Sequence, residues 1–389
     1  MKRPLVVAGT AALGLALLTG TARAEPSDWY WHAPRCATVD SDGSLSYTRD
    51  AGHTIAPTTG TMHPVKEVSD VATLARPNQL LAVDFTGRLY FDREAGCDWM
   101  MFDVLDGQAP WKITPAPDGT AYVWSKANDD RLYRVDGMTV TELPRVPDDL
   151  YGPALALTVD RWNASHLRVV TQNGIVLDSR DGGRGWAKVG DAPAPILNYG
   201  PTWAYDAAIW PGDLDRITLG TVVDGIFTST DGGRHWRHAT LGAAGDRINA
   251  FTVAVSPASP WVVWAMGLDM TEMDATPHPT SDGRHLYRST DGGRTFRPFV
   301  DQGMTTADGT WVTITNGLPL VPSPVDPDQV YFEFGTWFGG YGTDLFAWNA
   351  RTRHLSVTHN SFDDINAIAF NPADPHVMYL GLVREGGGW

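Results

Sequence analysis

An eight-residue string, Ser-x-Asp-Gly-Gly-Arg-x-aromatic, occurs three times: SRDGGRGW from Ser179, STDGGRHW from Ser229 and STDGGRTF from Ser289. Two looser copies precede them, TRDAGHTI from Thr48 and DREAGCDW from Asp92, each with an acidic residue third and a glycine fifth. Every copy follows a short apolar run (GSLSY, GRLYF, GIVLD, GIFT, RHLYR), so the string falls where a strand ends and must turn back. Its letters suit that place. Asp folds its carboxylate onto amides of the turn, Gly accepts positive φ, Ser or Thr adds a second local hydrogen bond, and the aromatic starts the return strand on the buried side. Asp50, Glu94, Asp181, Asp231 and Asp291 are therefore read as hairpin staples, in preference to catalytic or metal-binding carboxylates.

Two further units have the hairpin without the staple, DDRLYRVDGMTVTEL ending at Leu143 and TDLFAWNARTRHLSV ending at Val357, which brings the count to seven. With Leu45, Leu89, Leu132, Val176, Ile226, Leu286 and Leu345 taken as equivalent, the units follow one another at 44, 43, 44, 50, 60 and 59 residues. Strand-built units at this spacing predict propeller blades. The stretches 254–267, 320–335 and 369–381 each run apolar strand, Pro-rich corner, apolar strand, as the two inner strands of a blade would. The last has no outer hairpin after it, and the first hairpin has no inner pair before it. The expected fold is all-β: one seven-bladed propeller of four-stranded antiparallel blades over residues 36–389, closed by pairing of its N- and C-terminal strands, which hides sheet edges that invite aggregation. The short strand CATV (36–39) has no evident place at that seam.

The chain begins with Lys2 and Arg3, an apolar run from Leu5 to about Leu18, and the small-residue site Ala22-Arg23-Ala24. That pattern predicts a signal peptide over residues 1–24, a short extension over 25–35 and a secreted, extracellular or periplasmic protein. The apolar run is shorter than the roughly 20 residues a membrane-spanning helix requires. Cleavage removes three basic residues and leaves 27 Lys and Arg against 45 Asp and Glu. Such a surface repels nucleic acid and anionic membranes. Cys36 and Cys97 are the only cysteines, and in an oxidising compartment they are read as a disulfide; two separate buried thiols are the alternative.

The Ser-x-Asp-x-Gly-x-x-Trp element resembles the Asp box, or bacterial neuraminidase repeat, of sialidase-like propellers, and the resemblance covers the whole predicted mature chain. Boxes of this kind accompany sialidases, xyloglucanases, sortilin-type receptors and photosystem assembly factors, so they imply fold more than function. A sialidase would carry an arginine triad, a tyrosine paired with a glutamate, and Arg-Ile-Pro before the first box. Nothing before Thr48 reads Arg-Ile-Pro, and the nearest string, PRVP at Pro144–Pro147, lies between later units. In size, export and blade number the chain is also similar to the dispase autolysis-inducing family of actinobacteria, which implies binding of a metalloprotease; no signature residue carries that likeness.

The sequence has no HExxH, GxSxG, GxxxxGK or CxxC pattern, so no metal or cofactor is expected. His235 and His238 fall on opposite faces of a strand, His278 and His285 read as solvated loop residues, and the DSDGS string from Asp40 reads as a tight turn. Loop length is more informative. The connection between inner and outer strands is tight in the fourth and fifth units but long in the sixth (267–285) and seventh (335–344). Both long loops are expected on the face opposite the staples. They offer Asp269, Glu272, Asp274, Met270 and Met273, and Trp337, Phe338 and Tyr341 as contacts for an extracellular protein or a glycan; capping of the adjoining blades is the structural reading of Trp337 and Phe338. Asp-x-Ile-Asn-Ala occurs at the start of two innermost strands, which sets Asn249 and Asn366 with Asp246 and Asp363 round one channel mouth. Those two aspartates are the candidate acid and base of a glycoside hydrolase, against a turn-capping role. The sequence favours a monomeric, non-catalytic binding propeller, with glycoside hydrolysis as the alternative. The N-terminal residue of the exported protein is expected to be Glu25, and N-terminal sequencing checks it.

Overall fold

The computed structural model describes residues 30–36, 45–54, 67–126, 130–147, 152–194, 203–241, 247–277, 279–312, 314, 319–334, 344–359 and 363–384. The predicted signal peptide, residues 25–29 of the extension and residues 37–39 of the seam strand lie outside them. The described strands form seven antiparallel sheets arranged as the seven-bladed propeller the repeat spacing predicts. Blades 2 to 7 have four strands each and follow the chain, over 68–104, 111–143, 154–190, 204–238, 248–301 and 320–359. In blade 1, Leu45–Thr48 pairs with Met378–Arg384, which pairs with Asp363–Phe370; these are its three strands among the described residues. Leu45 lies opposite Gly381 and Thr48 opposite Met378, so the two ends of the chain close the ring.

Burial explains the near-continuous apolar runs. The second strand of a blade is covered on both faces by its neighbours, and Leu80–Asp84, Ala121–Ser125 and Ile217–Thr221 are buried throughout. The outer strand faces water, as in Met100–Val104. The apolar clusters bridge adjacent blades: Trp111, Val123 and Tyr133 of blade 3 pack with Leu81, Leu89 and Phe91 of blade 2.

The repeated turns join three things at once. In the turn of blade 5, Ser229 Oγ donates to Asp231 Oδ1 (2.9 Å) and accepts from the Gly233 amide (2.9 Å), while Asp231 Oδ1 also accepts from the His235 amide (2.9 Å). These bonds hold the Asp231 carboxyl down at a pKa of about 2, against the burial that would raise it. The same bonds recur round Asp50, Asp181 and Asp291. The fourth residue of each turn, with φ between 54° and 76°, then donates its amide to the corner between the first two strands of its blade. The pairs are Ala51 to His376, Ala95 to Asn78, Gly182 to Ser165, Gly232 to Asp215 and Gly292 to Trp261, at 2.7–3.1 Å. The fifth residue is a glycine pressed against the preceding blade. A Cβ there would lie 2.5–2.8 Å from Leu345 (at Gly52), Tyr379 (at Gly96), Leu132 (at Gly183), Val176 (at Gly233) and Thr228 (at Gly293).

Blade 2 corrects the sequence reading in one detail. The staple there is Asp92, at the first position, and Glu94 is exposed. The Asp92 carboxylate receives the amides of Glu94 (2.9 Å), Gly96 (2.6 Å) and Asp98, so one side chain with two oxygens does the work of both Ser and Asp. One short helix, α1 (Met270–Met273), interrupts an otherwise all-strand pattern among the described residues.

Cys36 and Cys97 form a disulfide, with Cα atoms 5.7 Å apart, that ties the N-terminal segment to the turn of blade 2. The same segment spans the joint between blades 1 and 2: the His32 amide donates to Asn78 Oδ1 (2.9 Å), and Asn371 Nδ2 donates to the His32 carbonyl (2.8 Å). Closing a loop of 61 residues contributes about 4 kcal/mol on the chain-entropy account.

Gly233→Ala is expected to cost about 3 kcal/mol, combining a left-handed backbone with overpacking against Val176. Gly137 has φ +58° and nothing within 4 Å, so Gly137→Ala should cost only about 1 kcal/mol. Denaturant melts of the two variants compare them directly.

Candidate functional site

On the face opposite the stapled turns, the long connection of blade 6 is anchored from within. Its last strand residue, Asp269, is wholly buried and caps α1, with Oδ1 accepting from the amides of Thr271 (2.8 Å) and Glu272 (3.2 Å). Glu272 Oε2 accepts from Ser281 Oγ (2.9 Å) and lies 3.0 Å from His285 Nε2; His285 Nδ1 lies 2.7 Å from Asp301 Oδ1. His285 is buried, not solvated as its sequence context implies. Burial pulls its pKa down, but the hydrogen bond to Asp301 and the charges of Glu272 and Asp301 prevail and raise it. Beneath them the Tyr287 hydroxyl and Asp269 Oδ2 are buried without hydrogen-bond partners. Burial, and then the charge of Asp269, Glu272 and Asp301, drives the Tyr287 pKa upward. Asp269 thus faces inward and Glu272, partly exposed, bridges to Ser281 and His285, so both fix the loop, while Asp274 stands at the surface, 3.5 Å from Arg247.

The channel-mouth residues divide in the same way. Asn249 Oδ1 accepts from the Val223 amide of blade 5 (2.7 Å), and Asn366 Nδ2 donates to the carbonyls of Val68 and Ser69 in blade 2 (3.0 and 2.9 Å), so both asparagines clasp a neighbouring blade. Asp246, Trp337, Phe338, Tyr341 and His278 lie outside the described residues, as does the side chain of Asp363. The aromatics the structure does place at this mouth are Trp203 and Tyr205, 52% and 41% exposed, with the Tyr205 ring 5.3 Å from that of Phe251.

The central channel, about 520 Å³, is lined by the first strands of blades 2 to 6. Inside it Lys126 reaches from blade 3 to Asp206 of blade 5 (Nζ to Oδ1, 2.7 Å). Bulges in the first strands turn two aspartates toward the following blade: Asp70 Oδ2 accepts from the Ile113 amide (2.8 Å), and Asp206 Oδ2 from the Val253 amide (3.0 Å). The protein packed round Asp70 raises its pKa, against the pull of Lys112 and of these amides. Sequence reasoning passed over all four charged residues. Their signal was a lone charge inside an apolar strand.

The other end of the channel opens on the stapled-turn face, among the strand corners of blades 4, 5 and 6. Each corner carries a tryptophan, Trp162, Trp210 and Trp261, and the first and last are 81% and 47% exposed. Arg161 lies over Trp162 (5.1 Å to the ring centre) and near Trp210 (6.0 Å), and Arg216 lies over Trp261 (4.3 Å). Aligned corners with a shared tryptophan were the available sequence signal, and loop length drew attention away from it. Among the described residues no group of three or more His, Cys, Asp and Glu is placed to hold a metal ion, and no helix is long and apolar enough to cross a membrane.

The chain is 41% identical to the dispase autolysis-inducing protein of Streptomyces mobaraensis over 380 residues, which is 97% of this chain and 96% of that one. It belongs to the dispase autolysis-inducing protein family. No protein-family model matches it. Among solved structures the family's fold is shared by YCF48 bound to a D1 peptide, with TM-score 0.53 and 11% identity over 90% of this chain and 100% of that one. It is shared also by the GH74 xyloglucanase of Xanthomonas campestris, with TM-score 0.54 and 17% identity over 85% of this chain. A GH74 enzyme of Niastella koreensis gives TM-score 0.53 and 15% identity over 89% of this chain. The chain spans 55% and 52% of the length of the two GH74 chains, and at such identities the likeness is one of fold alone.

The Glu272–His285–Asp301 bridge generates a pH prediction for this family member. Because the folded His285 pKa is raised, its stabilisation is complete below the unfolded histidine pKa and is lost as pH rises through the folded value. His285→Asn should therefore lower the melting temperature more at pH 5.5 than at pH 9. Thermal melts of both proteins at the two pH values check it.

Proposed function

We propose that the protein is a secreted, non-catalytic propeller that binds an extracellular protease and promotes its autolysis. The carrying observation is full-length relatedness to a protein named for inducing the autolysis of dispase. The disulfide agrees with an oxidising compartment. The proposed contact surface is the mouth opposite the stapled turns. It combines the loops of blades 6 and 7, with Asp274, Trp337, Phe338 and Tyr341, and the neighbouring Trp203 and Tyr205. Two observations support that choice. The blade 6 loop is tied to its blade by the hydrogen bonds of Asp269, Glu272 and His285, which reduces the ordering needed on docking. Trp203 and Tyr205 are the kind of large, partly exposed aromatics that dominate protein interfaces.

The test is to incubate purified dispase with the protein and follow both complex formation and loss of the intact protease band. Accelerated loss is expected with the wild type. The double variant Trp203→Ala, Tyr205→Ala should bind at least tenfold more weakly while melting within a few degrees of wild type, a loss in the range of truncating interface aromatics, about 2 kcal/mol. A dispase that neither binds nor disappears faster removes this reading. Turnover in a parallel glycan panel, abolished by Asp246→Asn or Asp363→Asn, replaces it with glycoside hydrolysis.

A further inference from the structure

We infer that the stapled-turn face carries a second docking site, for an extended segment of a partner protein that presents a carboxylate beside an aliphatic side chain. The inference rests on the reading of the protein as a protein-binding propeller and adds a surface and a recognition chemistry to it. Its anchor is Arg161. Its guanidinium carbon lies 5.1 Å from the centre of the Trp162 ring and 6.0 Å from that of Trp210, so aromatic surface flanks the charge. Among the described residues no carboxylate pairs with Arg161, whereas Arg216, its counterpart at the next corner, is bonded through Nε to Asp213 at 3.3 Å. A guanidinium fork without a carboxylate of its own fits a partner carboxylate with two parallel hydrogen bonds. The backbone supports that placement, since the Arg161 amide donates to the Pro211 carbonyl (2.9 Å) and so clasps the corners of blades 4 and 5 together.

The second element of recognition lies beside it. Arg161 and Trp210 line the channel, and the strand ends that lead to this rim bring Leu157, Ile209 and Val255 to its wall. A partner side chain adjacent to the carboxylate enters there, and an aliphatic group matches the wall. Trp162, 81% exposed beside Arg161, offers apolar surface that a bound partner segment would cover together with the ion pair.

The probe is the peptide acetyl-Ala-Leu-Glu-Leu-Ala-amide and its Glu→Gln twin, titrated by calorimetry against wild type, Arg161→Met and Trp162→Ala, with melting curves confirming that each variant folds. Wild type should bind the Glu peptide at least tenfold more tightly than the Gln twin. Arg161→Met should abolish that preference, and Trp162→Ala should weaken binding of the Glu peptide. The proposal is overturned if wild type binds neither peptide, if it binds both equally, or if Arg161→Met keeps the preference. A xyloglucan oligosaccharide bound in a Trp162-dependent manner, with no peptide binding, also overturns it. The dispase titration reports separately: a peptide preference with no dispase binding removes the protease reading alone.

Discussion

The fold depends on one repeated contact, the packing of a bare glycine backbone against the blade before it. In five blades the same turn closes its own hairpin through side-chain oxygens (Ser or Thr with Asp in four, Asp92 alone in blade 2), ties that hairpin to its own blade through a left-handed residue, and meets the preceding blade through a glycine with no room for a methyl group. Each turn is therefore a three-way joint. The apolar interfaces between blades are non-directional, so direction comes from such joints and from the inter-blade bonds of Asp70, Asp206, Asn249 and Asn366. Hydrogen bonds and a steric stop supply the direction. Blades 3 and 7 lack the joint, and their hairpins turn without a Ser-x-Asp pair.

Most of the architecture was legible in the sequence because it is written in local signals. Strand runs, turn strings and Pro-rich corners repeat at a readable spacing, and an orphan hairpin at one end with an orphan strand pair at the other leaves one solution, the closure of Leu45–Thr48 onto Met378–Arg384. The two cysteines were equally plain. What could not be read depends on distance in the chain. Lys126 finds Asp206 across 80 positions, and no local pattern announces a partner in a blade two places on. His285 reads as a loop residue until its neighbours Glu272 and Asp301 are known, and the exchange of roles between Asp92 and Glu94 depends on a carboxylate spanning two sites that a hydroxyl and a carboxylate normally share. Function was less legible still. Of the site residues best marked by sequence, Asp269 turned inward, Asp274 stands at the surface, and Asp246, Trp337, Phe338 and Tyr341 lie outside the described residues.

The two faces of the ring are built by different physics. The stapled-turn face is held by backbone and turn hydrogen bonds, while on the opposite face charged side chains anchor the blade 6 loop. Asp269 and His285 sit where an isolated charge would be costly; the amides of α1 offset that cost for Asp269, and the more exposed Glu272 and Asp301 offset it for His285. The channel between the faces repeats the solution with Asp70, Lys112, Lys126 and Asp206. A ring of apolar strands thus carries charged groups along its axis, with Lys126 and Asp206 joined across it.

The closed ring also has an order of assembly built into its connectivity. Blades 2 to 7 are contiguous in the chain, so each can lay itself on the one before as it is made. The strand Leu45–Thr48 must wait with an unpaired edge until Met378–Arg384 exists. The bond from Cys36 to Cys97 shortens that wait in space, though not in time. It pins the chain a few residues before the waiting strand to the turn of blade 2, beside the gap that blade 1 will fill, and so turns a search across the whole chain into a local one. In that sense the disulfide acts as a mooring line, holding the first strand at its berth until the last arrives.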